Sequence, residues 1–210
     1  MANANLITIG SSLEHVHIPG RGVPEDTIPH GQVEIGMGIH NEPGSLRAEA
    51  NLVDVISTML LQLLDHNDKD RCYVTHESGD KFILLINNLG CASVLELSGI
   101  TDEVHRQLER DYQIKPVRVI QGTFLSSLNG LGFSISLLKL VDTGLGPGKS
   151  MLELLDAPAE AVGWSSPIPT STWANRVDEP VKLKNSNLAE DTPSNLKCKL
   201  SPYYSRYPHY

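Results

Sequence analysis

The stretch VEIGMGIHNEPG, residues 33–44, decides how this chain is interpreted, because its pattern changes from strand to loop within a few residues. Apolar residues alternate with polar residues or glycine over residues 33–40, which predicts a β-strand. The Asn-Glu-Pro-Gly sequence at 41–44 predicts a turn. Gly36 and Gly38 leave one face of the predicted strand without side chains, so a ligand or another backbone can approach closely there.

His40 is the candidate nucleophile of this stretch. It stands at the predicted strand end, where ligand sites of α/β sheets usually lie. A neutral imidazole has a pKa of about 6.5, so much of it is available at neutral pH to attack a carbonyl carbon. Glu42 is close enough in sequence to orient the second ring nitrogen. A hydrogen-bonded loop histidine without a chemical role is the alternative.

Outward from this stretch, helical and strand patterns alternate. Apolar residues recur at three- and four-residue spacing after Ser45, which predicts a helix capped by that residue. A second helix is predicted over 93–112 and a short one over 151–156, and further strands over 82–86, 116–124 and 133–141. The predicted order is β-α-β-α-β-β-α, which is typical of an α/β domain with a mixed sheet flanked by helices.

Composition excludes several classes of protein. The 17 Lys and Arg against 25 Asp and Glu give a net charge of −8, which argues against a nucleic-acid or anionic-membrane binder. No apolar run approaches the roughly 18 residues of a membrane span, and the N-terminus lacks the pattern of a signal peptide, so we expect a cytoplasmic protein. The 3 cysteines suit reduced thiols, and Cys91 is expected to be buried.

The composition changes near Trp173. Residues 165–172 are rich in Ser, Pro and Thr, and 4 of the 6 tyrosines crowd into residues 203–210. The sequence therefore predicts a folded domain over residues 1–164, followed by a linker and disordered tail over 165–210.

Two patterns imitate known sites. The sequence GLGPGKS at 144–150 resembles a phosphate-binding loop, but Thr143 stands where that motif requires glycine and Pro147 removes a backbone donor. We interpret it as a turn followed by a helix cap and predict no cofactor site in this chain. His15 and His17 would share one face of a strand, but no other ligands stand at matching spacing, so no metal site is predicted.

Several separated motifs follow one another along the chain: TIGSSL at 8–13, HIPGR at 17–21, EIGMGIHNEPG at 34–44, NNLG at 87–90, GTF at 122–124 and GFSIS at 132–136. These motifs, in the same order, resemble the second half of the substrate-binding (DhaK) domain of dihydroxyacetone (glycerone) kinases. The segment LLDHNDKDR at 63–71 is most similar to the fungal, ATP-dependent, single-chain form.

The resemblance implies roles for four residues of the central motif. The histidine matching His40 would hold the carbonyl carbon of dihydroxyacetone or glyceraldehyde as a covalent hemiaminal, with Gly36, Gly38 and Glu42 supporting it. Phosphorylation would use MgATP held in a separate helical domain that is absent from this chain and would act in cis or in trans. The resemblance also implies a homodimer. Cyclisation of flavin nucleotides, which related kinases carry out, would need the same nucleotide domain.

The resemblance also implies that this chain is truncated. The first half of the substrate-binding domain would precede residue 1, and the nucleotide domain would follow Trp173. The isolated chain is therefore expected to have no measurable kinase activity, because phosphoryl transfer depends on positioning by those parts. The alternative is a non-catalytic module that binds carbonyl compounds or regulates another protein.

Cys91 stands where the family usually has glycine.

Overall fold

A six-stranded sheet organises the computed structural model, which describes residues 2–20, 22, 27–39, 42–68, 70–164 and 168–175. The strand order is β3-β2-β1-β6-β4-β5. Only β4 and β5 pair in parallel among these neighbours, so the predicted mixed sheet is confirmed. The strands are β1 (Leu6–Ser12), β2 (Gln32–Ile35), β3 (Leu46–Glu49), β4 (Phe82–Asn88), β5 (Arg118–Gly122) and β6 (Gly132–Lys139).

Two long helices cover one face of the sheet. They are α1 (Leu52–Leu64) and α2 (Val94–Tyr112), and two short helices follow, α3 (Met151–Leu155) and α4 (Thr170–Ala174). Alternate strand residues such as Ile7, Ile135 and Leu84 are buried in one core with the apolar faces of α1 and α2. No helix in the described part of the chain has the length and apolar content that crossing a membrane would require.

The boundaries of both long helices follow from their caps. The side chain of Ser93 accepts a hydrogen bond from the Glu96 N–H and the Glu96 carboxylate bonds back to the cap, so the predicted start of α2 is confirmed. The predicted cap of α1 at Ser45 is wrong. Asn51 caps this helix, because residues 46–49 extend as the edge strand β3 before the helix begins.

The strand predicted over residues 33–40 is also shorter than its pattern indicates. β2 ends at Ile35, because Gly36 has a φ of +79° that regular strand geometry does not allow. The alternation beyond this glycine therefore belongs to a loop. β1, which carries the TIGSS residues, was not among the predicted strands and lies in the middle of the sheet.

The chain after β6 returns to the face of the sheet opposite α2. Gln121 on β5 bonds Ser98 of α2, so Arg118, at opposite parity on the same strand, points to the other face and meets Asp156 just after α3. The first compact unit accordingly runs through Ala174, whereas the sequence predicts a boundary at 164. The predicted disordered tail falls largely on 176–210, outside the described residues.

Candidate functional site

The loop that carries the predicted site connects β2 to β3 as an antiparallel hairpin. Its base is closed by the Ser45 N–H, which donates to the Ile35 carbonyl at 2.8 Å, and by the Gly36 N–H, which donates to the Gly10 carbonyl on β1 at 2.8 Å. His40 and Asn41 lie outside the described residues. The role of His40 therefore stays a prediction. Described residues hold both ends of its loop.

Gly36 and Gly38 make room for two side chains of the loop. A Cβ atom on Gly36 would lie 2.9 Å from Ser45 Oγ, and its positive φ is a second reason for glycine. A Cβ on Gly38 would overlap the Glu42 carboxylate, which lies against this backbone. The Gly38 N–H also donates to the Glu42 carbonyl at 3.2 Å, so Glu42 is drawn back across the loop. The space predicted at these glycines is thus occupied by the loop itself.

Gly44 closes the other end of the loop against β2. Its N–H donates to Glu34 Oε1 at 2.7 Å. A Cβ atom there would lie 2.5 Å from the Ile35 carbonyl oxygen and 2.6 Å from Glu34 Cγ. The backbone at residue 44 therefore lies too close to β2 for a side chain to fit there without a shift of its neighbours.

Glu34 is the centre of this arrangement, and its side chain is only 2% exposed. His15 Nε2 donates to its Oε2 at 2.9 Å, and Arg47 Nε lies 3.2 Å from its Oε1. Burial raises the pKa of Glu34, but the hydrogen bonds from Gly44, His15 and Arg47 outweigh burial and bring that pKa below its usual value. The carboxylate is therefore ionised at neutral pH and joins three separate segments of the chain.

His15 and His17 do not share one face of a strand, which corrects the prediction for them. β1 ends at Ser12, so His15 and His17 follow the strand instead of sharing its face. His15 bonds Glu34, and the His17 N–H donates to Asn129 Oδ1 at 3.0 Å. Across the described residues, no group of three or more His, Cys, Asp or Glu side chains could hold a metal ion.

The GLGPGKS segment does not fit a nucleotide. Ser150 caps α3, a helix of 5 residues, and the Glu153 carboxylate accepts from both the N–H and the hydroxyl of Ser150. These hydrogen bonds hold the pKa of Glu153 below its usual value, so a negative charge already stands where a phosphate would have to bind. The interpretation of this segment as a turn followed by a helix cap is confirmed.

The NNLG motif forms a turn that fastens the loop after β5. Asn88 Oδ1 accepts from the Gly90 N–H at 2.8 Å, and Asn87 Oδ1 accepts from the Phe124 N–H at 2.8 Å. Cys91 follows this turn and is exposed, which corrects the expectation of a buried thiol. Cys72 is the buried cysteine of the described part of the chain.

Sequence reasoning assigned no role to Glu34, His15 or Arg47 at this site. A signal for two of them is present, because Glu34 and Arg47 stand directly opposite each other in the β2–β3 pairing. Opposite charges placed symmetrically about a predicted turn indicate a cross-strand ion pair. His15 carries no such signal, since only the fold brings it to Glu34.

The mixed sheet with its flanking helices is the fold of a domain found in dihydroxyacetone kinases. The Dak1 domain family matches residues 1–163, and this chain belongs to it. Dihydroxyacetone kinase from Komagataella pastoris is 45% identical over 188 residues, which cover 83% of this chain and 30% of that protein. The chain thus spans about 30% of the length of this relative.

Solved structures share the fold. The dihydroxyacetone kinase from C. freundii, solved in complex with AMP-PNP and Mg²⁺, matches with a TM-score of 0.62 and 24% identity, covering 91% of this chain and 32% of that one. The dihydroxyacetone kinase operon co-activator DhaQ matches with a TM-score of 0.58 and 22% identity, covering 75% of this chain and 45% of that one. At these identities the likeness concerns the fold.

Proposed function

We propose that this chain is the ketone-holding part of an ATP-dependent dihydroxyacetone kinase and that His40 binds dihydroxyacetone covalently. The observation that carries the proposal is the loop at 36–44, which is anchored at both ends and contains the histidine in a chain 45% identical to a dihydroxyacetone kinase. Anchored ends reduce the entropy lost when a loop must present one side chain to a ligand.

The proposed capture step balances without a co-reactant. One ring nitrogen of His40 forms a bond to the carbonyl carbon, and the carbon–oxygen π pair moves to the oxygen. The oxygen takes up a proton while the other ring nitrogen releases one, so the product is a neutral hemiaminal. In this proposal Glu42 orients that second nitrogen. Glycerol has no carbonyl carbon and cannot form the bond, so the step selects short ketones and aldehydes.

Capture can be tested directly on the 210-residue chain. Dihydroxyacetone labelled with carbon-13 at its ketone carbon should give a protein-bound resonance in the tetrahedral-carbon region, and unlabelled glycerol in excess should not displace it. His40→Ala should abolish this signal, whereas His30→Ala, at an exposed histidine before β2, should keep it. A signal that survives His40→Ala would contradict the proposal.

The remaining parts of the proposal concern the assembled enzyme. MgATP binds in a separate nucleotide-binding domain, joined in the same polypeptide or supplied by a partner, and transfers its phosphoryl group to a terminal hydroxyl of the held ketone. The protein acts in the cytoplasm as a homodimer. Sedimentation of the purified protein tests the last point, because a monomer at micromolar concentration would contradict it.

The second candidate is a non-catalytic module that binds ketones for regulation. The likeness in fold to an operon co-activator favours it, since that protein shares this architecture. An antibody against residues 31–140 separates the two candidates on a denaturing gel of the source cells. A band far heavier than 23.0 kDa supports the kinase, and a band at 23.0 kDa supports the module.

A further inference from the structure

Glu34 is separated from the start of the loop by Ile35 alone, yet its carboxylate bonds to Gly44 at the end of the loop. The carboxylate sits on β2, before the loop begins, and accepts from the N–H of Gly44, where the loop finishes. A single side chain therefore spans the two ends of the segment that contains His40. The bond is short, at 2.7 Å, and it is buried, because the Glu34 side chain is 2% exposed.

Two side chains hold this carboxylate in place. Arg47 comes from β3 and approaches with Nε at 3.2 Å from Oε1 and Nη2 at 3.3 Å from Oε2. His15 comes from the segment after β1 and approaches Oε2 at 2.9 Å. Because each oxygen has donors of its own, the carboxylate cannot turn without losing several charge-assisted hydrogen bonds.

We infer that Glu34 is a positioning residue for ketone capture: it ties Gly44 to β2 and thereby sets how closely the two described sides of the loop, 36–39 and 42–44, approach each other on either side of His40 in the sequence. This inference rests on the proposed function and adds to it a residue that does not touch the ketone. The close approach of Gly44 supports it independently, because a Cβ built at this residue would lie only 2.6 Å from Glu34 Cγ.

The test compares two isosteric substitutions of buried glutamates. Glu34→Gln removes the charge at the loop. Glu103→Gln removes a charge on α2, where Glu103 is 5% exposed and bonds Arg106 and Gln107 instead of the loop. Each variant is measured for dihydroxyacetone capture by carbon-13 resonance, for amide hydrogen exchange at Gly44, and for its urea midpoint.

We expect Glu34→Gln to weaken capture by about tenfold and to speed exchange of the Gly44 amide while the chain stays folded, as a cooperative urea transition will show. The control variant should capture dihydroxyacetone like the unsubstituted chain. Capture within twofold of the unsubstituted chain, or slow Gly44 exchange in Glu34→Gln, would overturn the inference. An unsubstituted chain that captures nothing would instead refute the proposed function, and Gly44 exchange would still decide whether Glu34 ties Gly44 to β2.

Discussion

The guanidinium of Arg118 and the carboxylate of Asp156 form a two-pronged ion pair on the face of the sheet opposite α2. Nη2 lies 2.7 Å from Oδ2 and Nε lies 3.3 Å from Oδ1, and the side chains are only 7% and 8% exposed. Thr170 donates to the same carboxylate at 2.7 Å, and the Trp173 ring lies 4.8 Å from Arg118 Cζ. This pair therefore fastens α3 and α4 to β5.

Asp156→Asn should destabilise the domain strongly. Removing one partner of a buried ion pair leaves the other charge without compensation, at a cost of about 3–5 kcal/mol. Asp102→Asn is the matched control, because Asp102 also pairs with an arginine but is 70% exposed, and its loss should cost less than about 1 kcal/mol. Urea unfolding monitored by far-ultraviolet circular dichroism measures both, and equal losses would show that burial does not matter here.

Gly44→Ala should lower both stability and ketone capture. The added Cβ would press on the Ile35 carbonyl and on Glu34, which must shift at a cost of about 1–3 kcal/mol. Gly99→Ala makes the same chemical change in α2, where a Cβ meets no atom within 4 Å, and should stabilise the protein by about 0.5–1 kcal/mol. Thermal unfolding measures both changes in stability, which should have opposite signs. A stabilised Gly44→Ala variant would contradict the packing described at the loop.

His76 should make the fold sensitive to mild acid. Burial lowers the pKa of His76, and the stacked His66 ring and Lys139 lower it further against the opposing effect of Asp80. The folded protein therefore takes up this proton less readily than the unfolded chain. The contribution of neutral His76 is fully present above the unfolded pKa of about 6.5 and is lost as the pH falls from there toward the folded pKa.

The measurement for His76 is the urea midpoint at pH 8 and at pH 5.5. The unsubstituted chain should lose more stability between these values than His76→Gln does. His30→Gln, at an exposed histidine, serves as the control and should behave like the unsubstituted chain. Parallel losses in all three proteins would rule out His76 as the source.

The isolated chain should show no kinase turnover. Positioning of both reactants can contribute about 7–11 kcal/mol to the barrier reduction, and the chain spans about 30% of the K. pastoris enzyme. A coupled assay for ADP release with ATP, Mg²⁺ and dihydroxyacetone tests this expectation. Release that depends on dihydroxyacetone and disappears in His40→Ala would show that the chain is active alone.

Local patterns predicted much of the fold. The spacing of apolar residues in α1 and α2 and the buried strand around Leu84 depend on neighbours in sequence, and the structure confirms them. β3 escaped prediction because its four residues, LRAE, carry no strand alternation and are extended only by pairing with β2.

The site was predicted less completely than the fold. The glycine spacing and the turn at 41–44 indicated a special loop, but the residues that hold it come from different parts of the chain. Glu34 looks like the polar, outward residue of an alternating strand, and only the arrival of His15 and Arg47 makes its burial favourable. Such a contact between distant segments leaves no periodic trace in the sequence.

The connection between β2 and β3 joins neighbouring antiparallel strands near one edge of the sheet, and the strand ladder closes again at Ser45 bonding Ile35. The loop also bonds to the sheet through the Gly36 N–H on Gly10 and the Gly44 N–H on Glu34. A graft of a different sequence into this hairpin therefore has to keep Gly36, Gly44 and Ser45, because these residues carry the bonds that join the loop to β1 and β2.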